Sequence, residues 1–289
     1  MADVEDFVPK LTDDGSSTFF CAEFGELFHS YHGARQEAQL KFVEPTQLTD
    51  KARQPNLRLL DICYGLGYNT AAALATIWAI NPHCCVEVVG LELNPSVPQA
   101  AIAHHLLNCW YPDYTQILRE LGTEHQVETN RLKATLLIGD ARATIGLVHQ
   151  SGFRADAIFL DPFSPPNCPQ LWTVEFLDQV AKCLGSFGRI ATYSCAAAVR
   201  TALMAAGLQI GSTPPVGRRS PGTVASWVDT DKPPLLSRLE LEHLLTRAAI
   251  PYRDPELVDP AAVILHRRLG EQQASSLEPT SQWRKRARS

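Results

Sequence analysis

No two of the chain's eight cysteines stand in a C-x-x-C pair, and only Cys84 and Cys85 are adjacent. That spacing argues against a zinc site and against a secreted disulfide framework, so free thiols in a reducing compartment are expected. The nine histidines show no ligand spacing beyond the neighbours His104 and His105, and no H-E-x-x-H is present, so no metal is expected. A G-x-x-x-x-G-K-[ST] phosphate loop and a nucleophile elbow are missing too. The first residues, Met1 to Asp6, are acidic and lack the apolar core of a signal peptide, and no segment approaches an uninterrupted membrane span. A cytoplasmic protein without a membrane partner is expected. Neither sign of charge dominates: the net charge is −5, which argues against wholesale coating of a nucleic acid but leaves room for a local basic patch. No internal repeat is visible. With 289 residues, 45% hydrophobic and 20% charged, the composition is that of a soluble globular protein.

The most informative stretch runs from Leu59 to Thr70. An apolar run ends in Asp61, a turn carries Gly65 and Gly67, and an Ala-rich helix follows from Thr70 to Ala79. Such a strand–loop–helix unit holds a small ligand against backbone amides. About twenty residues on, Val86 to Glu92 reads as a second strand ending in an acid, the usual partner of ribose hydroxyls. The dinucleotide fingerprint is incomplete, because Thr70 stands where its third glycine belongs. A turn that need not pass a pyrophosphate suits S-adenosylmethionine better than NAD; a glycine turn that serves packing alone is the plain alternative.

Residues 55–230 alternate strands and helices, as a parallel α/β sheet requires. Strands are expected at Arg58–Ile62, Cys85–Leu91, Ala134–Ile138, Ala155–Leu160 and Arg189–Ser194, with the last two between Gly207 and Val228. Helices are expected at Val174–Cys183 and Ala197–Ala206. Residues 1–54 read as a small β/α segment, with a strand at Thr18–Cys21, a partner between Gly25 and Ser30, and a helix over Ala34–Phe42. The forty residues from Leu93 to Ala134 exceed a simple crossover. They read as a helical insertion, either a cap beside the site or packing against the sheet edge. Residues 231–289 form an appendage. Leu235–Ala249 reads as an amphipathic helix capped by Ser237 and Glu240, Ala261–Arg267 as a strand, and the polar stretch beyond Gly270 as a disordered basic tail.

Two further acids end strands. Asp140 is placed to accept from an adenine amino group, with Ala141 adding a backbone contact; it also suits a plain helix N-cap. Asp161 opens a Pro-rich loop, Asp161-Pro162-Phe163-Ser164-Pro165-Pro166, and is the strongest substrate-site candidate. A carboxylate there can hold an amine and take its proton as the nitrogen attacks a methyl group; the alternative is a loop-capping aspartate. Phe163 and Trp172 offer aromatic walls to a flat base, and Trp110 and Tyr111 are further stacking candidates.

On these residues the chain resembles the MnmC-like tRNA 5-methylaminomethyl-2-thiouridine methyltransferases, in the stand-alone form without a fused flavin oxidase domain. The resemblance covers roughly residues 10–230. It rests on Asp14 to Phe19, on His29 to Ala34 with Glu37, on Asp61 to Asn69, on Asp161 to Pro165 with Leu171 to Thr173, and on the late turn with Arg218, Arg219 and Pro221 to Thr223. It implies a Rossmann-like class I methyltransferase sheet that methylates the aminomethyl group of the wobble uridine in tRNA. By position it implies Asp61, Gly65, Gly67, Asn69, Glu92, Asp140 and Ala141 around the donor, Glu37 near its methionine end, and Asp161 facing the amine. Phe163, Trp172, Arg218 and Arg219 would meet the tRNA, with Arg267, Arg268 and the tail from Arg284 to Arg288 as further basic groups. An upstream enzyme would have to supply the aminomethyl group. Aminopropyltransferases share a similar sheet and N-terminal hairpin and are the alternative, as is a small-amine N-methyltransferase; the aromatic, Pro-rich loop suits a flat base better than an aliphatic polyamine. A non-enzymatic module is a third possibility, against which the four strand-end acids argue together.

Overall fold

The computed structural model describes residues 7–217, 220–227 and 232–287. The chain opens with an antiparallel three-stranded sheet, β1 (Pro9–Leu11), β2 (Ser17–Cys21) and β3 (Glu26–Leu27), in that order. Strand β2 and its partner match the sequence reading. Strand β1 has no counterpart in it, because all three of its residues are exposed and show no alternation. Helix α1 (Ala34–Glu37) does not continue regularly to Phe42 as expected. It widens into a π-helical turn over Ala38–Val43, where Glu44 N–H reaches back to Gln39 C=O at 3.0 Å. A short α2 (Leu48–Lys51) leads to the main sheet.

There the chain runs through β4 (Asn56–Ile62), α3 (Tyr68–Ile80), β5 (Cys85–Glu92), α4 (Ser96–Ala103), α5 (Pro112–Glu124), β6 (Gln126–Glu128) and β7 (Leu132–Ile138). It continues through α6 (Ala141–Gln150), β8 (Ala155–Leu160), α7 (Val174–Lys182), β9 (Leu184–Thr192), α8 (Ala197–Ala205), β10 (Leu208–Thr213) and β11 (Gly222–Trp227). Among the described residues the sheet has eight strands in the order β10-β11-β9-β8-β4-β5-β7-β6. The five central strands are parallel, while β6, β10 and β11 pair antiparallel. From β4 the chain moves outward first through β5 and β7, then returns to β8 on the other side. A crevice opens at such a switch point, outside the strands' carboxyl ends.

Both faces of β4 are buried, Leu57 and Leu59 in one apolar core and Leu60 and Ile62 in the other, so the apolar run needs no alternation. The first core takes in Phe7, Phe19 and Phe42 from the N-terminal segment with α3 and α5; the second takes in α6, α7 and α8 with Tyr252 and Ile264 from the appendage. The insertion between β5 and β7 is helical, as expected, and packs Leu106, Leu107 and Leu118 into the first core. Its end adds the edge strand β6, three residues long, which the sequence reading did not contain.

The appendage differs most from expectation. The expected helix Leu235–Ala249 is α-helical only over α9 (Arg238–His243), where Ser237 and Glu240 form the anticipated capping box, with a separate 3-10 turn at Arg247–Ala249. Its leucines 235, 239, 241 and 245 are exposed and leucines 236 and 244 only half-buried, so no buried apolar face holds a longer helix together. The expected strand Ala261–Arg267 is a helix, α10 (Ala261–Ala274). Of its apolar run only Ile264 is buried, and Arg267 and Arg268 lie three and four residues on, the helical spacing that shares a face. The expected disordered tail holds α11 (Thr280–Arg286), with the Trp283 ring stacked on His243 at 4.6 Å. Charges fasten this segment to the sheet. Arg200, 2% exposed, donates to Glu240 at 2.7 Å, and Arg142 donates to the fully buried Asp254 at 2.9 Å. Among the described residues no helix is long and apolar enough to cross a membrane.

Candidate active site

The four strand-end acids have different neighbours. After β4 the chain turns through Cys63, Gly65 and Gly67, all with positive φ (+65°, +56° and +80°). Gly67 starts α3 in the left-handed region with the Tyr64 ring against it, a position that only glycine fills without strain. Glu92 at the end of β5 ties this turn to the next: one oxygen accepts Gly65 N–H at 2.8 Å, the other Asn94 N–H at 2.9 Å. Burial pushes its pKa up, and each oxygen keeps a lone pair for another donor.

A cavity of about 240 Å³ lies outside the strand ends. Glu37, Cys63, Gly65, Glu92, Asp161 and Phe163 are part of its wall. The expected site residues Asp61, Gly67, Asn69, Asp140, Ala141 and Trp172 are not. Asp61 is fully buried and accepts from Thr70 Oγ1 at 2.7 Å; its Oδ1 has no partner among the described residues. Asn69 Nδ2 donates to Asp161 Oδ2 at 3.0 Å. Asp140 caps α6 and is gripped by Arg142, with Nη2 at 2.7 Å from Oδ2 and the Arg142 N–H at 2.9 Å from Oδ1. These donors hold its pKa low against the opposing effect of burial. Trp172 is fully buried and donates its indole N–H to Phe163 C=O at 2.8 Å, so it braces the Pro-rich loop and offers no face to a base.

Asp161 is strongly perturbed. Burial, then the neighbouring Glu37 carboxylate, push its pKa well above the ordinary carboxylate range, with Asn69 and Lys41 pulling the other way. Glu37 accepts Ser30 N–H at 2.8 Å and pairs with Lys41 Nζ at 3.3 Å.

The roof comes from the N-terminal sheet. Phe24 stacks on Phe163 with ring centroids 4.4 Å apart, and Phe28 meets Phe163 edge-on at 5.1 Å. Glu26 accepts from Ser164 N–H at 3.0 Å, from the Ser164 hydroxyl, and from Asn167 Nδ2 at 2.8 Å. Sequence reasoning missed Phe24, Glu26 and Lys41. Only Lys41 left a signal, its i,i+4 spacing from Glu37.

Of the basic groups, Arg218 and Arg219 lie outside the described residues, as does Arg288. Arg267 is spent on Asp259 at 2.7 Å, and Arg268 lies over the Tyr252 ring at 4.3 Å. Both are structural within the appendage. Trp110 lies beneath the Arg35 guanidinium at 4.9 Å, and Tyr111 is exposed; neither lines the cavity.

A family model described as S-adenosyl-L-methionine-dependent methyltransferase matches residues 104–227, the stretch from β6 to β11 that carries Asp140 and Asp161. An uncharacterised protein of Methanocaldococcus jannaschii is 32% identical over 88% of this chain and 69% of its own length. The crystal structure of MnmC2 from Aquifex aeolicus superposes with a TM-score of 0.81 at 33% identity, over 93% of this chain and 86% of that one. The chain belongs to the MnmC-like family of S-adenosyl-L-methionine-dependent methyltransferases. The bifunctional tRNA 5-methylaminomethyl-2-thiouridine biosynthesis protein MnmC of Ralstonia nicotianae is 29% identical over 76% of this chain. The chain spans about a third (34%) of that relative's length.

The cavity fits the family's donor. S-adenosylmethionine brings a sulfonium and an ammonium. Among the described residues the wall carries five carboxylates, Glu23, Glu26, Glu37, Glu92 and Asp161, and no lysine, arginine or histidine. Such a wall favours cationic ligands over anionic ones. When bound, the donor supplies an electrophilic methyl group and a neutral thioether leaving group.

Proposed function

We propose that this MnmC-like methyltransferase transfers a methyl group to the amine of an aminomethyl-bearing wobble uridine in tRNA. The observation that carries the reading is the cavity itself: a wall of carboxylates with no basic side chain among the described residues, ending at Asp161 and roofed by Phe24, Phe28 and Phe163. The relatives named for 5-methylaminomethyl-2-thiouridine biosynthesis support it. In this reading Glu92 takes the ribose hydroxyls on its free lone pairs, and Gly65 lets the backbone approach the donor. Glu37 holds the donor's ammonium end. Asp140, Asp61 and Asn69 act from behind the wall, holding the loops in place. Phe163 bears on the base. The Asp161 carboxylate accepts the proton that the acceptor ammonium must lose, which frees the nitrogen lone pair for in-line attack on the methyl carbon. The proton then passes to water, and the methylated amine leaves as a cation.

The same acidic wall disfavours an acceptor that carries a carboxylate, so a carboxymethylaminomethyl uridine is a poor substrate and a separate upstream enzyme supplies the aminomethyl form. Residues 55–230 constitute the methyltransferase domain in this reading, with 1–54 as its roof and 231–289 as a fastened appendage. The setting is the cytoplasm. Arg218 and Arg219, with Arg284 and Lys285, are the basic groups we assign to tRNA phosphates.

The test is transfer of a radiolabelled methyl group to three tRNA preparations: unmodified, aminomethyl-bearing and carboxymethylaminomethyl-bearing. Label on the aminomethyl form alone is the expected result. Label on small diamines but on no tRNA would replace this reading with small-amine chemistry.

A further inference from the structure

Lys41 is 1% exposed and lies beneath the cavity floor, outside its wall. A buried lysine is costly unless it is paired. Its pairing is with Glu37 at 3.3 Å, and its ammonium lies 6.0 Å from the centre of the Tyr193 ring. Tyr193 in turn donates to Pro162 C=O at 2.8 Å, in the residue after Asp161. The π-helical turn over Ala38–Val43 contains Lys41, and one-turn π-helices are often found at functional sites. Burying both partners of an ion pair next to the reacting centre is hard to explain by stability, since an apolar pair would fill the same space at no charge cost.

The groups facing Asp161 from each packed element are few. Glu37 comes from α1, Lys41 from the π-helical turn, Asp61 and Cys63 from the end of β4, and Asn69 from α3. His29, fully buried, faces Glu37 from the N-terminal segment, and burial holds its pKa low. Of these, Lys41 is the group that carries a positive charge toward Asp161.

We infer that Lys41 is a positioning residue for methyl transfer: from beneath the floor it offsets the charge of Glu37, so that Asp161 remains the carboxylate that takes the acceptor's proton. Two unscreened carboxylates in one buried site share a proton, and a shared proton blocks the base. With Lys41 in place the charge of Glu37 weighs less on Asp161, which feels Glu37 and Lys41 in opposite directions. The inference rests on the role of Asp161 proposed above.

The test uses the full chain with its aspartate side-chain carboxyls labelled with carbon-13, without donor. The Asp161 signal is assigned by its loss in Asp161→Asn, and its titration midpoint is followed by NMR. Lys41→Met should raise that midpoint by at least one pH unit, and Glu37→Gln should lower it. The pair Glu37→Gln/Lys41→Met, which leaves no unpaired buried charge and covers the case that Lys41→Met does not fold, should sit at or below the wild-type midpoint. In turnover at saturating donor and acceptor, the acid limb of kcat should move in the same directions, with at least a tenfold loss at pH 7 in Lys41→Met that is recovered at higher pH. A midpoint unmoved in both Lys41→Met and Glu37→Gln would overturn the inference and leave Lys41 a packing residue. If Asp161→Asn keeps full activity, the underlying role of Asp161 fails instead, whatever the midpoints do.

Discussion

Replacing Asp61 by asparagine should stabilise the protein, and by an amount that grows with pH. Asp61 is fully buried, with one oxygen satisfied by the Thr70 hydroxyl and the other without a partner among the described residues. Burial raises its pKa from 3.8 to about 7, and the hydrogen bonds from Thr70 offset only part of that. Between those two values the folded chain keeps a proton that the unfolded chain releases, so stability falls as pH rises through that window and the loss is complete above it. About three pH units at about 1.4 kcal/mol each give about 4 kcal/mol at pH 8, and about 2 kcal/mol at pH 5. Asparagine resembles the protonated side chain in carrying no charge, and it keeps an acceptor for Thr70. The variant should therefore lead the parent by about 2 kcal/mol at pH 5 and by about 4 kcal/mol at pH 8. Urea unfolding of both proteins across this range, without donor, measures the gap directly. A gap that does not change with pH, or a variant less stable than the parent at pH 8, would refute the idea that β4 ends in a desolvated acid at its own expense.

At the other strand end, Asp161→Asn should lower kcat by about 10² to 10⁴, the range for losing a positioned base, with donor affinity by calorimetry changed only a few-fold. Because the Asp161 pKa is raised, wild-type activity should fall on acidification nearer neutrality than for an ordinary carboxylate, and a pH profile of kcat will show whether it does. Phe24→Ala removes the ring stacked on Phe163, and an aromatic pair of about 1 kcal/mol predicts a KM for the acceptor about fivefold higher at little cost in kcat. Asp254→Ala leaves the Arg142 guanidinium largely buried without one of its two acids and should cost about 3 kcal/mol in urea unfolding.

What could be read in the sequence was whatever local pattern dictates. The parallel strands announced themselves as short apolar runs, and the four acids at their ends, together with the Gly65–Gly67 turn, followed from the crevice rule for such sheets. The division between wall and support was not legible, since Asp61 and Glu92 look alike in sequence yet only Glu92 reaches the cavity. Neither was the roof: Glu26 and Ser164 carry no pattern that joins them. The appendage misled because its apolar residues do not decide its structure. Ala261-Ala262-Val263-Ile264-Leu265 has the look of a strand, but Arg200–Glu240 and Arg142–Asp254 hold the segment down, and those partners lie 40 and 112 residues apart.

The clasp between Glu26 and Ser164 also sets a schedule for synthesis. The two residues are 138 positions apart, so at about 5–20 residues per second the ribosome needs roughly 7 to 28 seconds to make the second after the first. Through that interval Phe24 lacks Phe163, the ring it stacks on, while Phe28 can already meet Phe19. Nascent chains of this protein thus carry the Phe24 ring without its stacking partner until the second half of the sheet is made. Slower translation lengthens that exposure, and a trigger-type holdase bound to the first thirty residues would shorten it.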